Sequence, residues 1–90
     1  MQDLINAAAD LFDISPHALT NGCRQRHVAH ARQAVMYALY QATDMSYAAI
    51  GELLGGRDHS TIIHGVAAAE RRAIADRDYA LKLVALVGRW

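Results

Sequence analysis

Residues 55–64 read Gly-Gly-Arg-Asp-His-Ser-Thr-Ile-Ile-His. Two glycines supply the positive-φ positions that stop one helix. Asp58 is a natural N-cap for the next, accepting from backbone N–H groups two or three residues on. The helix so begun opens with compact hydrogen-bonding side chains where an apolar stripe would be ordinary. A leading end of Asp, His, Ser and Thr behind a tight turn is suited to touching a partner. The major groove of duplex DNA is the commonest target for such an end, because it admits a helix and displays a donor/acceptor code.

Working outward, Ser46 caps a short helix predicted over about 47–54, with Ile50, Leu53 and Leu54 inward. Val28, Ala31, Val35, Ala38, Leu39 and Ala42 recur at three and four, predicting a long helix over about 29–43. Before it, residues at about 22–28 form a polar, basic connection after Asn21-Gly22. Ser15-Pro16 is a cap followed by proline at the first helical position, so a helical turn over about 16–20 precedes that. Leu4, Ile5, Ala8, Leu11 and Phe12 predict a first helix over about 2–13. Downstream, the helix begun at Asp58 runs to about Ala75, with Ile62, Val66, Ala69 and Ala73 on one face and Ser60, Thr61, His64 and Arg71 on the other. A last helix over about 77–88 is apolar on most sides (Tyr79, Leu83, Val84, Leu86, Val87) and is expected to pack as a lid. No Val/Ile/Thr-rich run is bounded by turns, so the expected class is all-α: a small helical bundle containing a helix-turn-helix. No linker or repeat divides the sequence, and residues 1–90 read as a single domain.

The formal net charge is zero, but the charges are segregated. The first twenty residues hold Asp3, Asp10 and Asp13 and no Lys or Arg, whereas residues 21–43 hold Arg24, Arg26 and Arg32, with His27 and His30, and no acid. A local basic patch, more than the net charge, steers a polyanion. Cys23 is the only cysteine, which suits a reducing cytoplasm. Met1-Gln2-Asp3 lacks the basic start and apolar stretch of a secretory signal, and no apolar run is long enough to span a bilayer, so no membrane partner is expected.

These residues carry a resemblance. From about Arg24 to Arg72 the sequence resembles the C-terminal DNA-binding domain of the DnaA family of bacterial chromosomal replication initiators. GGRDHSTIIH is similar to the family signature GGRDHTTVLH. Val28-Ala29-His30-Ala31-Arg32-Gln33 is similar to its VARPRQ, followed by Met36 and Tyr37 in a similar helix, and Asp44-Met45-Ser46 and Ile50-Gly51 fall in register. The resemblance implies sequence-specific binding of the duplex element known as the DnaA box. It implies that Arg24 enters the minor groove and that Asp58, His59 and Ser60 read base edges in the major groove. Arg32, Arg57, Thr61 and His64 match positions that hold phosphates or support base contact, and Arg26 lies on the same basic loop.

Elementary chemistry agrees with those assignments. Asp accepts from cytosine N4, and His and Ser bond to purine edges. The sequence departs from the family at His30 (an arginine there), Ala31 (a proline), Ala48 (often a proline) and Tyr40 (a lysine in some members), so a relaxed or altered DnaA box is expected. No GxxxxGK[ST] loop occurs, so no nucleotide cradle of that type is expected in this chain. The sequence reads either as the reading head of a full initiator or as a free-standing regulator with altered preference, and its place as cytoplasmic and nucleoid-associated. A helical protein-interaction module that has lost DNA binding is the rival from another class. Cys23, His27 and His30 match no familiar zinc spacing. No nucleophile–base pair stands out, so neither metal, cofactor nor catalysis is expected. Asp58 alone could be only a cap, Met36 and Tyr37 core, and Arg71 and Arg72 the solvated decoration of a helix end.

Overall fold

A computed structural model describes residues 2–88. Six helices follow one another: α1 Gln2–Phe12, α2 Pro16–Thr20, α3 Arg26–Ala42, α4 Tyr47–Leu53, α5 His59–Ala75 and α6 Arg77–Val87. No strand occurs among the described residues. The fold is a small all-α bundle.

The helix starts follow from side chains that satisfy otherwise orphaned N–H groups. Ser15 accepts from the N–H of His17 at 3.2 Å ahead of Pro16. Ser46 accepts from Ala49 at 3.1 Å, and Asp76 accepts from Tyr79 at 3.2 Å. Each such cap contributes about 1 kcal/mol. The long helix differs from expectation. It begins at Arg26, so Arg26, His27 and Val28 form its first turn and leave a shorter connection. Gln25 makes no capping side-chain bond, so no local signal announces that start.

α3 runs through the centre and packs against all five other helices. Its buried face is rich in small residues, with Ala31, Ala34 and Ala38 fully enclosed beside Val35 and Leu39. Small side chains let neighbouring helices approach closely. At the α3–α5 crossing Gly65 faces Met36, and a Cβ there would collide with the Met36 sulfur. Leu4, Leu19, Ile50, Leu54, Ile62 and Leu86 complete the core from the surrounding helices.

α6, apolar on most sides, packs through only one of them. Tyr79, Leu83 and Leu86 are buried, but Leu81 is 58% and Val84 68% exposed. The helix is one-faced, docked through Tyr79. The Tyr79 ring meets Phe12 edge-on at 5.8 Å, and its hydroxyl donates to the His30 carbonyl at 2.7 Å. Arg72 also departs from the solvated role expected of it. Its guanidinium lies over the Tyr79 ring at 5.2 Å and donates to Gln33 Oε1 at 2.7 Å, tying α5 to α3 and α6. No helix among the described residues is long and apolar enough to cross a membrane.

Candidate nucleic-acid interface

The helix-turn-helix is α4, the turn 54–58 and α5. Leu54 is buried beneath the turn, and Gly55 and Gly56 take φ of 93° and 80°, where an L side chain is strained. The N–H groups of Gly56 and Arg57 both donate to the Gly51 carbonyl, at 3.0 and 2.8 Å, folding the chain back on α4. Gly55 abuts the Thr20 carbonyl so closely that a Cβ would overlap it. The turn is therefore pressed against the C-terminal end of α2, where the segment that bears Arg24 begins.

Two arginines fix that segment. Arg57 donates through Nη2 to the Asn21 carbonyl at 2.7 Å and through Nη1 to the Leu54 carbonyl. Arg32 donates through Nε to the Leu19 carbonyl at 2.9 Å. Its Nη2 reaches the carbonyls of Ala18 at 2.8 Å, Cys23 at 3.2 Å and Asn21 at 3.4 Å. Asn21 returns a turn of its own, its Oδ1 accepting from the Cys23 N–H at 2.8 Å. One backbone carbonyl, that of Asn21, is thus gripped from α3 and from the helix-turn-helix at once.

Arg32 thus has a role within the chain itself. The side chain is only 7% exposed, and two of its three nitrogens are committed to protein carbonyls. Buried carbonyls need donors, and a guanidinium fork supplies several in one plane. Arg57 is half-buried and similarly engaged. Both act here as clamps on the arm. Arg24 and Arg26, by contrast, are exposed, Arg24 in the arm and Arg26 in the first turn of α3. An open basin of about 710 Å³ separates the arm from the turn, lined by Arg24, Arg32, Arg57, Asn21 and Gly55 among others.

At the start of α5, Asp58, His59, Ser60, Thr61 and His64 are all exposed. Asp58 Oδ2 accepts from the Ser60 N–H at 3.2 Å and from the Ser60 hydroxyl, and Oδ1 lies 3.5 Å from His59 Nδ1. The Ser60 hydroxyl, then its N–H, hold the Asp58 carboxyl below the usual carboxylate range. With its O–H donated to Asp58, the exposed Ser60 oxygen is left as an acceptor, suited to adenine N6 or cytosine N4. With Nδ1 turned to the carboxylate, His59 offers Nε2 to the outside.

Sequence reasoning missed Asn21 and Gly51, because both work through backbone carbonyls. Tyr40 stacks on Tyr47 with ring centroids 4.8 Å apart. Among the described residues no group of three or more His, Cys, Asp or Glu is placed to hold a metal ion.

The family model described as bacterial dnaA protein helix-turn-helix matches residues 1–68. The chain belongs to that family. Its similarity to curated DnaA proteins is extensive on this side and narrow on theirs. It is 44% identical over 63 residues to the chromosomal replication initiator protein DnaA of Herpetosiphon aurantiacus, covering 70% of this chain and 13% of that one. It is 36% identical over 76 residues to the DnaA of Thermus thermophilus, covering 84% and 17%. It is 43% identical over 61 residues to that of Trichormus variabilis, covering 68% and 13%. The chain thus spans between 13% and 17% of the length of these relatives. As a DnaA-type helix-turn-helix it is a DNA-binding unit, not a catalytic one.

His30, where the DnaA pattern has an arginine, is half-buried over Tyr79. Burial, then the nearby Arg72 and Arg26, push its pKa below the ordinary histidine value. The folded state therefore binds fewer protons than the unfolded one. His30 adds stability that is complete above the unfolded histidine pKa, about 6.5, and is lost as pH falls through the lower folded value. His30→Gln, whose backbone carbonyl still receives Tyr79, is expected to flatten the fall of the urea midpoint between neutral and mildly acid pH. An unchanged pH profile would reject this role.

Proposed function

We propose that this chain binds duplex DNA sequence-specifically at a DnaA-box-like element of a replication origin or promoter. The first turn of α5 leads into the major groove, where Asp58, His59 and Ser60 meet base edges. Arg24 enters the adjacent minor groove with Arg26 beside it, and Thr61 and His64 approach the backbone. Arg57 and Arg32 hold the arm at a fixed distance from the reading helix. The observation that carries this reading is the shared Asn21 carbonyl, which couples the arm to the turn that launches α5. A minor-groove arm and a major-groove helix read one element together only if their separation is fixed.

Fluorescence anisotropy against a DnaA-box duplex and a shuffled control tests the proposal. Arg24→Ala is expected to cost about 1–3 kcal/mol on the box and to relax preference at one position. Selectivity equal to that of the unsubstituted protein would sink the minor-groove assignment. A free-standing regulator with drifted preference is favoured by one feature, the Tyr40–Tyr47 stack where some members have a phosphate-binding lysine. Site selection from random duplexes separates the two, since a drifted reader enriches a different element.

A further inference from the structure

The outer face of α5 carries one more cation than this reading uses. Ser60, His64, Ala67 and Arg71 stand at i, i+4, i+7 and i+11, so they share one stripe of the helix. Ile62, Val66 and Ala69 are buried on the opposite side. Arg71 also lines an open trough of about 430 Å³ between α3 and α5, together with Arg32, Arg57, Thr61 and His64. No Asp or Glu lines it. In a chain of zero formal net charge, a strip with three arginines and no carboxylate is marked segregation.

The arginines are not equivalent. Arg32 and Arg57 are occupied by carbonyls. The neighbouring Arg72 is held by Gln33 and Tyr79. Arg71 is exposed and makes no hydrogen bond or ion pair among the described residues. A guanidinium free to present its fork is a ready phosphate partner.

Length decides what it reaches. Ser60 and Arg71 are eleven residues apart, about 16 Å along the axis. That exceeds the about 12 Å width of the major groove. With the α5 axis set across the groove, a helix whose first turn lies on base edges carries position 71 to its bank, where the phosphates are.

We propose that Arg71 is a DNA-backbone contact, and that the α3–α5 trough seats the phosphate strand flanking the element read by the first turn of α5. This rests on the reading of α5 given above. The test is anisotropy across a salt series with the unsubstituted protein, Arg71→Gln and Arg71→Lys. Two duplexes serve as probes: a DnaA box with flanks, and the same box trimmed at its ends.

Arg71→Gln is expected to lower the slope of log K against log salt by about 0.9, the value of one phosphate contact. It should leave the box-to-shuffled ratio intact, and Arg71→Lys should keep the slope. Trimming the flank should weaken the unsubstituted protein and cost Arg71→Gln nothing further. A selective unsubstituted protein with an unchanged Arg71→Gln slope sinks this inference alone. An unsubstituted protein that binds no duplex sinks the underlying reading with it. Arg71-dependent binding of a poly-glutamate peptide, with the duplex slope unaltered, would overturn the inference and give the trough to an acidic protein partner.

Discussion

Arg32→Ala is expected to lower the unfolding free energy by about 3–4 kcal/mol, more than a surface cation ever contributes. The substitution removes donors from the carbonyls of Ala18, Leu19, Asn21 and Cys23 at one stroke. Hydrogen bonds to a charged group are worth about 1.5–3 kcal/mol each, and a buried acceptor left alone costs about 1–3 kcal/mol. The four bonds share two nitrogens and are not additive, which keeps the total well below their sum. A domain this small has about 5–15 kcal/mol in all. The melting temperature should therefore fall by on the order of 15 °C. Urea unfolding checks the magnitude, and Arg32→Lys, which keeps a charge but loses the planar fork, should recover only part of it. If Arg32→Ala instead kept its urea midpoint and lost about one unit of salt slope in DNA binding, the clamp would be wrong and a phosphate contact right.

That contrast also marks where the sequence stops being legible. The starts of α2, α4 and α5 are announced by Ser15-Pro16, Ser46 and Asp58, and the structure begins those helices where the caps place them. Capping is local chemistry, so it can be read locally. The start of α3 carries no such signal at Gln25, and the apolar spacing points to a start three residues later than Arg26. The first turn of α5 was legible for the same reason: Asp58, His59 and Ser60 bond mainly to one another. Arg32 and Arg57 were not. The carbonyl partners of Arg32 lie 9–14 residues away and Asn21 lies 36 residues from Arg57. Nothing in an Arg within a basic stretch says whether its fork faces outward to an anion or inward to the chain. The exposure of Val84, apolar like its buried neighbours, is illegible for a related reason. Folded surfaces are more than half apolar, so hydrophobicity alone does not settle which way a residue points.

The second large effect is expected at a residue with no side chain. By helix propensity Gly51→Ala, inside α4, ought to stabilise by about 1 kcal/mol. The structure reverses that sign. A Cβ on Gly51 would fall well inside contact distance of the Arg57 carbonyl oxygen. That obstacle is main chain, so no side-chain rotation relieves it. Relief requires moving Arg57 away from α4, which stretches the bonds from Gly56 and Arg57 to the Gly51 carbonyl. The same movement displaces Asp58, the cap of α5, and pulls Arg57 from Asn21. Overpacking of this kind costs about 1–3 kcal/mol, so a net loss of about 1 kcal/mol, and at most about 2, is expected after the propensity gain. Because the shift separates the arm from the reading helix, selectivity for a DnaA box over a shuffled duplex should fall as well, measured under conditions where the variant remains folded. Gly22→Ala is the control. Nothing lies within 4 Å of a Cβ there, and its stability should stay within about 0.5 kcal/mol of the unsubstituted chain. A Gly51→Ala protein as stable and as selective as the original would mean that the turn yields freely, and the coupling of arm to helix through Arg57 would go with it.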